Sequence, residues 1–293
     1  MTQTLTSVAD MVTKALSEVD VTAVRRTYWE QNEVVYLERW LPRPLIEQMV
    51  TEAVASALAR VDVATLRRTY WDQNEFIALD RWLPPSLIEP MLAEVERVRP
   101  AINRNFIPRH KKGGSVSFYT LREHAPTIVA LYQAPAFIAF LSALTGRTLQ
   151  ACPPSDPHSC ALYFYTEPGD HIGFHFDTSY YKGARYTVLV GLIERSSSRL
   201  VCQLYKNVAG RAVEERALTT HPGTFIFFNG DKLWHGITPL GEAEERVSLT
   251  LEYVTDPSMS PVKRFVSNMK DAIAYFGFRR VFLESRKATR AIQ

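Results

Sequence analysis

From Ser115 onward the apolar residues fall into short runs separated by turn residues, and runs of that length read as strands. Eight are evident, at 161–166, 171–177, 185–194, 200–205, 212–218, 224–228, 233–238 and 246–254. Gly169-Asp170, Pro222-Gly223 and Asn229-Gly230 punctuate them. Even spacing with such punctuation predicts a sandwich or jelly roll rather than a parallel sheet. A helical period runs over 127–144 and returns over 262–276, so helices are expected on the outside of the sheet. The expected class is mainly β with flanking helices.

An internal repeat organises the first third of the chain. Val19-Asp20-Val21 with Arg25-Arg26-Thr27-Tyr28-Trp29 recurs 42 residues later as Val61-Asp62-Val63 with Arg67-Arg68-Thr69-Tyr70-Trp71, and Arg39-Trp40-Leu41-Pro42 recurs as Arg81-Trp82-Leu83-Pro84. Stacked solenoids need about three or more units, and nothing past residue 100 continues the pattern. Each copy reads as a helix, a short extended piece (34–36 or 76–78), and a helix led by Pro44 or Pro85. The chain divides into a helical segment, 1–60, holding the duplicated copy at 19–54, and a domain at 61–293 with its β core at about 115–255. The copy at 61–96 is expected to pack on the core, and the first to be accessory.

With 293 residues, 46% hydrophobic and 22% charged, the chain has the balance of an ordinary globular protein. A net charge of +3 is too small and dispersed to argue for nucleic acid or a membrane as partner, and leaves room for an anionic small molecule. The first nineteen residues lack an unbroken apolar segment, and no later run approaches the length of a membrane span, so a cytoplasmic location is expected. Cys152, Cys160 and Cys202 are odd in number and lack CxxC spacing, which argues for buried free thiols.

The chemistry begins at His175-Phe176-Asp177, where strand alternation turns residues 175 and 177 to one face. Alone this triplet is weak. His235, after Trp234 in a later strand, supplies a second imidazole, and two histidines with one carboxylate leave metal positions open, as iron(II) oxygen chemistry requires. Arg246, eleven residues further on, offers a bidentate fork for a carboxylate, with Ser248 on its face. A zinc hydrolase can be assembled from the same three ligands, but it leaves Arg246 without a role. A degenerate 2-oxoglutarate sensor is the non-enzyme alternative, and there a ligand or the arginine should be missing.

Over roughly residues 65 to 280 the chain resembles the iron(II)/2-oxoglutarate-dependent dioxygenase superfamily, in its prolyl-4-hydroxylase-like and free-amino-acid-oxygenase branches. The resemblance rests on Tyr165-Thr166-Glu167-Pro168-Gly169-Asp170 leading into His175-Phe176-Asp177, on Pro222-Gly223-Thr224-Phe225-Ile226-Phe227-Phe228, on Trp234-His235-Gly236 and on Arg246-Val247-Ser248-Leu249. It implies a double-stranded β-helix (jelly roll, cupin-like) and iron(II) held by His175, Asp177 and His235. It also implies 2-oxoglutarate bound through Arg246 and Ser248, O2 as oxidant, and a tyrosine on the co-substrate, Tyr163 before Tyr165. Related halogenases carry Gly or Ala where this chain has Asp177, so the resemblance implies a hydroxylase that releases succinate and CO2. A free amino acid or similar carboxylated metabolite is the expected small-molecule substrate, with a peptidyl, carrier-bound or nucleic-acid substrate as the alternative. A homodimer is left open.

Four further residues are candidates for substrate contact. His171 lies four positions before His175 and shares its face if the strand is regular, although Gly173 can disturb the alternation. Tyr180 and Trp234 flank the ligands as pocket walls, and Arg185 is a candidate for a substrate carboxylate, weighed against a strand start facing solvent. The basic stretch 103–114, ending in Gly113-Gly114, reads as a mobile loop or lid.

Overall fold

Strands β7 (Arg185–Arg195), β10 (Phe225–Asn229) and β12 (Glu245–Val254) show why the second half of the chain becomes a sheet with two different faces. Along β12, Val247, Leu249, Leu251 and Tyr253 point one way and Arg246, Ser248, Thr250 and Glu252 the other, so apolar and polar residues separate at a period of two. The computed structural model describes residues 19–30, 42–177 and 179–277, with Lys14, Ser17 and Val281.

All eight expected strands are present. Besides the three above they are β5 (Cys160–Tyr165), β6 (His171–His175), β8 (Leu200–Leu204), β9 (Glu214–Leu218) and β11 (Trp234–Ile237). Four more join them: β1 (Phe76–Leu79), β2 (Asn103–Ile107), β3 (Lys111–Val116) and β4 (Gln150–Ala151). Every pairing is antiparallel, in the order β1-β10-β7-β12-β5-β3-β6-β11-β8-β9, with β2 on β3 and β4 on β12. The sheet curls into a half barrel, the expected jelly roll.

Helices α2 (Arg43–Leu58), α3 (Val63–Asp72), α4 (Pro85–Val98), α5 (Phe118–His124), α6 (Pro126–Gln133) and α7 (Pro135–Thr145) cover the convex face. Tyr70 stacks on Phe227 at 5.3 Å, and Trp82 tilts over Phe225 at 5.0 Å, each such pair adding about 0.5–1.5 kcal/mol to the burial of its rings. A second cluster, including Leu189, Ile226, Phe228, Leu200 and Ile237, lines the concave face. No single helix among the described residues is long and apolar enough to cross a membrane.

Three expectations are revised. The single helix over 127–144 is two helices, because Pro135 holds Ala134 extended (φ −61°, ψ 118°) and cannot donate the next bond. The stretch 103–114 is the β2–β3 hairpin and not a loop. Arg104 pairs with Asp170 and Glu167, Lys112 bonds the Pro168 carbonyl, and Lys111 is buried against Tyr275, so its charges are satisfied by neighbours distant in sequence. The copy at 61–96 packs on the sheet through β1, which pairs with β10. The first copy is not merely appended, since its α2 buries Ile46, Val50, Ala53, Val54 and Ala57 in the main core. Helix α1 (Val21–Glu30) precedes it, and the extended piece expected at 34–36 lies outside the described residues. After β12, α8 (Pro261–Asp271) runs into a π-helical turn, Ala272–Phe276.

Candidate metal centre and co-substrate pocket

His175 and His235 are cross-strand partners on β6 and β11, with ring centroids 4.4 Å apart. Asp177 follows β6, and its Oδ1 lies 3.3 Å from His175 Nε2 and 4.0 Å from His235 Nε2. One donor atom from each residue falls within 4.8 Å of the others, a spacing one cation can span. Both imidazoles turn Nε2 inward because Nδ1 is held by a carbonyl, Gly173 O at 2.9 Å for His175 and Leu233 O at 3.2 Å for His235.

The protonation states suit a cation. Burial alone would raise the Asp177 carboxyl, but the two imidazoles beside it hold it well below the usual carboxylate range. Burial, and then His175, push His235 down to about 4, so it is neutral at pH 7 with a lone pair free. Burial opposes charge on His175 as well, yet the Asp177 carboxylate outweighs it and raises that imidazole.

Asp177 is the ligand the strand does not fix, because β6 ends at His175. Its backbone N–H donates to Gly230 O at 3.0 Å, and its Oδ2 accepts from Thr187 Oγ1 at 2.9 Å. Gly230 permits this approach, since a Cβ there would stand 2.7 Å from Asp177 Cβ. Thr187 Oγ1 is also 3.0 Å from Glu252 Oε2, to which Arg185 Nε donates at 2.8 Å.

On the β12 face that carries the cavity-lining Ser248, Arg246 is fully buried, 3.3 Å from Glu194, yet none of its three guanidinium nitrogens makes a hydrogen bond. The buried Ser248 hydroxyl is unpaired too. Each such donor costs about 1–3 kcal/mol, more for a charged group, so the pair fits a buried anionic ligand that accepts from both. Tyr165 stands opposite Arg246 and Tyr163 opposite Ser248 across the β12–β5 ladder. Tyr163, Tyr165, Ser248 and the three metal-site residues line one cavity.

Of the four substrate candidates, the structure brings two to this cavity. Tyr180 lines its wall, and Arg185 lines it with its guanidinium committed to Glu252. His171 does not reach the cavity. The β6–β11 register slips between the His175–His235 and Ile172–Ile237 pairs, a bulge at Gly173–Phe174 that reverses the alternation and turns Ile172 inward instead. His171 bonds Gly169 O at 2.8 Å and pairs in register with Lys112. Trp234 lies on the face of β11 opposite to His235, packed on Phe176 at 4.7 Å. Among residues the sequence reading passed over, Thr187 and Glu252 also line the cavity, as do Asp156 and His158. Glu252 shares the two-residue parity of Arg246 and Ser248, a signal present in the sequence. His110, 6.1 Å from the His175 ring, arrives through the hairpin and carried none.

The fold and site together define a jelly-roll protein whose concave face gathers two histidines and one carboxylate close enough to hold a cation. The model of the HalD (Halogenase D) family matches residues 58–182, less than half of the chain but including His175 and Asp177. No curated protein matches. Among solved structures, the chain is similar to the epimerase SnoN in complex with Fe3+, α-ketoglutarate (2-oxoglutarate) and nogalamycin RO, with TM-score 0.54 and 15% identity over 66% of this chain and 84% of that one. It is similar to the non-haem α-ketoglutarate-dependent carbocyclase SnoK from nogalamycin biosynthesis, with TM-score 0.55 and 13% identity over 68% and 88%. A prolyl hydroxylase from Trichoplax adhaerens, in complex with a hypoxia-inducible-factor peptide, gives 0.52 and 14% over 76% and 94%. At these identities the likeness establishes the fold, the double-stranded β-helix of iron- and 2-oxoglutarate-dependent enzymes.

Proposed function

We propose that this protein is an iron(II)- and 2-oxoglutarate-dependent oxygenase that hydroxylates a small carboxylated metabolite, a free amino acid being the first choice. The observation that carries the reading is Arg246, a fully buried cation whose three nitrogens make no hydrogen bond, opposite Tyr165 and on the β12 face of Ser248, both of which line the cavity of the three-residue metal site. A metal hydrolase has no use for it, and no ligand is missing as a degenerate sensor would require.

His175, Asp177 and His235 would hold the iron, and Arg246 with Ser248 would take the far carboxylate of 2-oxoglutarate. With O2, iron and 2-oxoglutarate supply an oxidant able to break an unactivated C–H bond, with succinate and CO2 as by-products. The chain's own work is to bind, orient and exclude water. Leu189, Leu200, Phe228 and Ile237 give the cavity apolar walls around the metal site. Tyr180, Arg185 and Glu252 line the same cavity and would orient the substrate.

The Halogenase D match favours a second reading, chlorination of the same kind of substrate. Asp177 favours hydroxylation, because its carboxylate would take the position on the metal that a halide ligand needs.

The test is succinate formation from 2-oxoglutarate under air with iron(II) and ascorbate, across a panel of amino acids and other carboxylated metabolites, with and without chloride. The expected result is turnover stimulated by one compound, a hydroxylated product by mass spectrometry, and loss of turnover in His175→Ala and Arg246→Ala. A chlorinated product would replace this reading with the second. No consumption of 2-oxoglutarate, and no rise in melting temperature with metal or 2-oxoglutarate, would end both.

A further inference from the structure

Two of the three metal-site residues are fixed by the β6–β11 ladder, and the third is not. The strand ends at His175, so the period of two that aims His175 does not aim Asp177. A carboxylate free to turn can offer a cation one oxygen or both, and the second arrangement takes a position that a co-substrate or O2 needs. Something outside β6 has to choose between them.

The side chain that touches Asp177 Oδ2 is Thr187, buried on β7 and in register with Glu252 on β12. Its hydroxyl has one hydrogen and faces two carboxylate oxygens, Asp177 Oδ2 at 2.9 Å and Glu252 Oε2 at 3.0 Å. Glu252 Oε2 already accepts from Arg185 Nε at 2.8 Å. The guanidinium offsets the charge on that oxygen, which makes Asp177 Oδ2 the stronger acceptor for the Thr187 hydrogen. Oδ2 is then occupied, and Oδ1, the oxygen that faces both imidazoles, remains for the metal.

We propose that Thr187 is a positioning residue that makes Asp177 a one-oxygen metal ligand, its hydrogen directed there by the Arg185–Glu252 pair. The proposal rests on the metal-binding half of the functional reading and goes beyond it, because it assigns the geometry of the third ligand to a residue that itself binds no metal. The same chain joins the metal ligand to the cavity wall, since Arg185, Thr187 and Glu252 all line the cavity.

The experiment compares wild type, Thr187→Val and Thr187→Ser by direct titration with cobalt(II), together with the melting temperature of each without metal. Valine keeps the shape and removes the donor; serine keeps the donor. The expected result is cobalt affinity weakened roughly ten- to a hundredfold in the valine variant and held within roughly threefold of wild type in the serine variant. The cobalt absorption spectrum is expected to change in the valine variant alone. A valine variant that melts lower without metal yet binds cobalt as tightly as wild type, with the same spectrum, would show a purely structural role and overturn the proposal. A serine variant as weak as valine would overturn it too. Absence of cobalt binding by wild type would instead remove the functional reading beneath it.

Discussion

Arg246 stands directly opposite Tyr165 across the β12–β5 ladder, and two residues along Ser248 stands opposite Tyr163. The two tyrosines are not equivalent. Tyr163 OH is engaged by His158 Nδ1 at 3.0 Å, whereas the Tyr165 hydroxyl meets no protein partner among the described residues. If 2-oxoglutarate binds as proposed, Tyr165 offers it the free hydroxyl and Tyr163 does not. Tyr165→Phe is expected to weaken 2-oxoglutarate binding by about 0.5–1.5 kcal/mol, roughly two- to twelvefold, measured by calorimetry with cobalt(II) present. Tyr163→Phe should leave it unchanged.

Arg246 is expected to matter to stability as well as to 2-oxoglutarate binding, because its guanidinium lies 3.3 Å from the buried Glu194 carboxylate. Arg246→Met is expected to abolish 2-oxoglutarate binding and to lower the melting temperature of the ligand-free protein, because it leaves the buried Glu194 carboxylate without its cation. Arg246→Lys keeps the charge and loses the fork, so it should bind 2-oxoglutarate weakly and melt closer to wild type than the methionine variant. Thermal unfolding of the three proteins, with and without 2-oxoglutarate, checks both signs.

Lys111 should make stability depend on pH above neutrality. Burial pushes its ammonium down to about 7, while in the unfolded chain it holds its proton to about 10.4. Between those values the unfolded state binds more protons than the folded one, so this group's contribution to stability rises with pH across the window. Lys111→Met should flatten that rise. Melting temperatures of both proteins from pH 6 to pH 9, without metal, should show the variant's relative advantage largest at the acid end.

Removing residues 1–56 tests the role of the first repeat. The deletion takes away the core contribution of Ile46, Val50, Ala53 and Val54. At about 1.5–3 kcal/mol for each fully buried branched side chain, the loss is on the order of 5 kcal/mol, comparable with the whole stability of many domains. The truncated chain is expected to be insoluble or to melt far below the full chain. Retained solubility with an unchanged melting temperature would restore the accessory reading.

Much of the fold is legible in the sequence because sheet formation is recorded locally. Apolar runs, turn residues and a period of two placed all eight expected strands to within two residues at either end. The hairpin at 103–116 was not legible for an equally physical reason. Its lysines and arginine look like solvated loop charges until Glu167, Asp170 and Tyr275 are brought beside them. The metal site divides the same way. The order of His175, Asp177, His235 and Arg246 is visible along the chain, and the structure gathers the first three within reach of one cation.

His171 and Trp234 show where that reading stops. Counting by twos sets His171 beside His175, but one bulge reverses the parity, and bulges depend on pairing with a strand sixty residues away. Trp234 is adjacent to a ligand in sequence and therefore on the other side of the sheet. The sequence by itself determined eight of the strands, the candidate ligand set and the arginine that follows it, because each depends on residue type and short-range spacing. Only the tertiary structure decided what Asp177, Arg246 and the two tyrosines touch, because those contacts are made between strands whose register the chain does not announce.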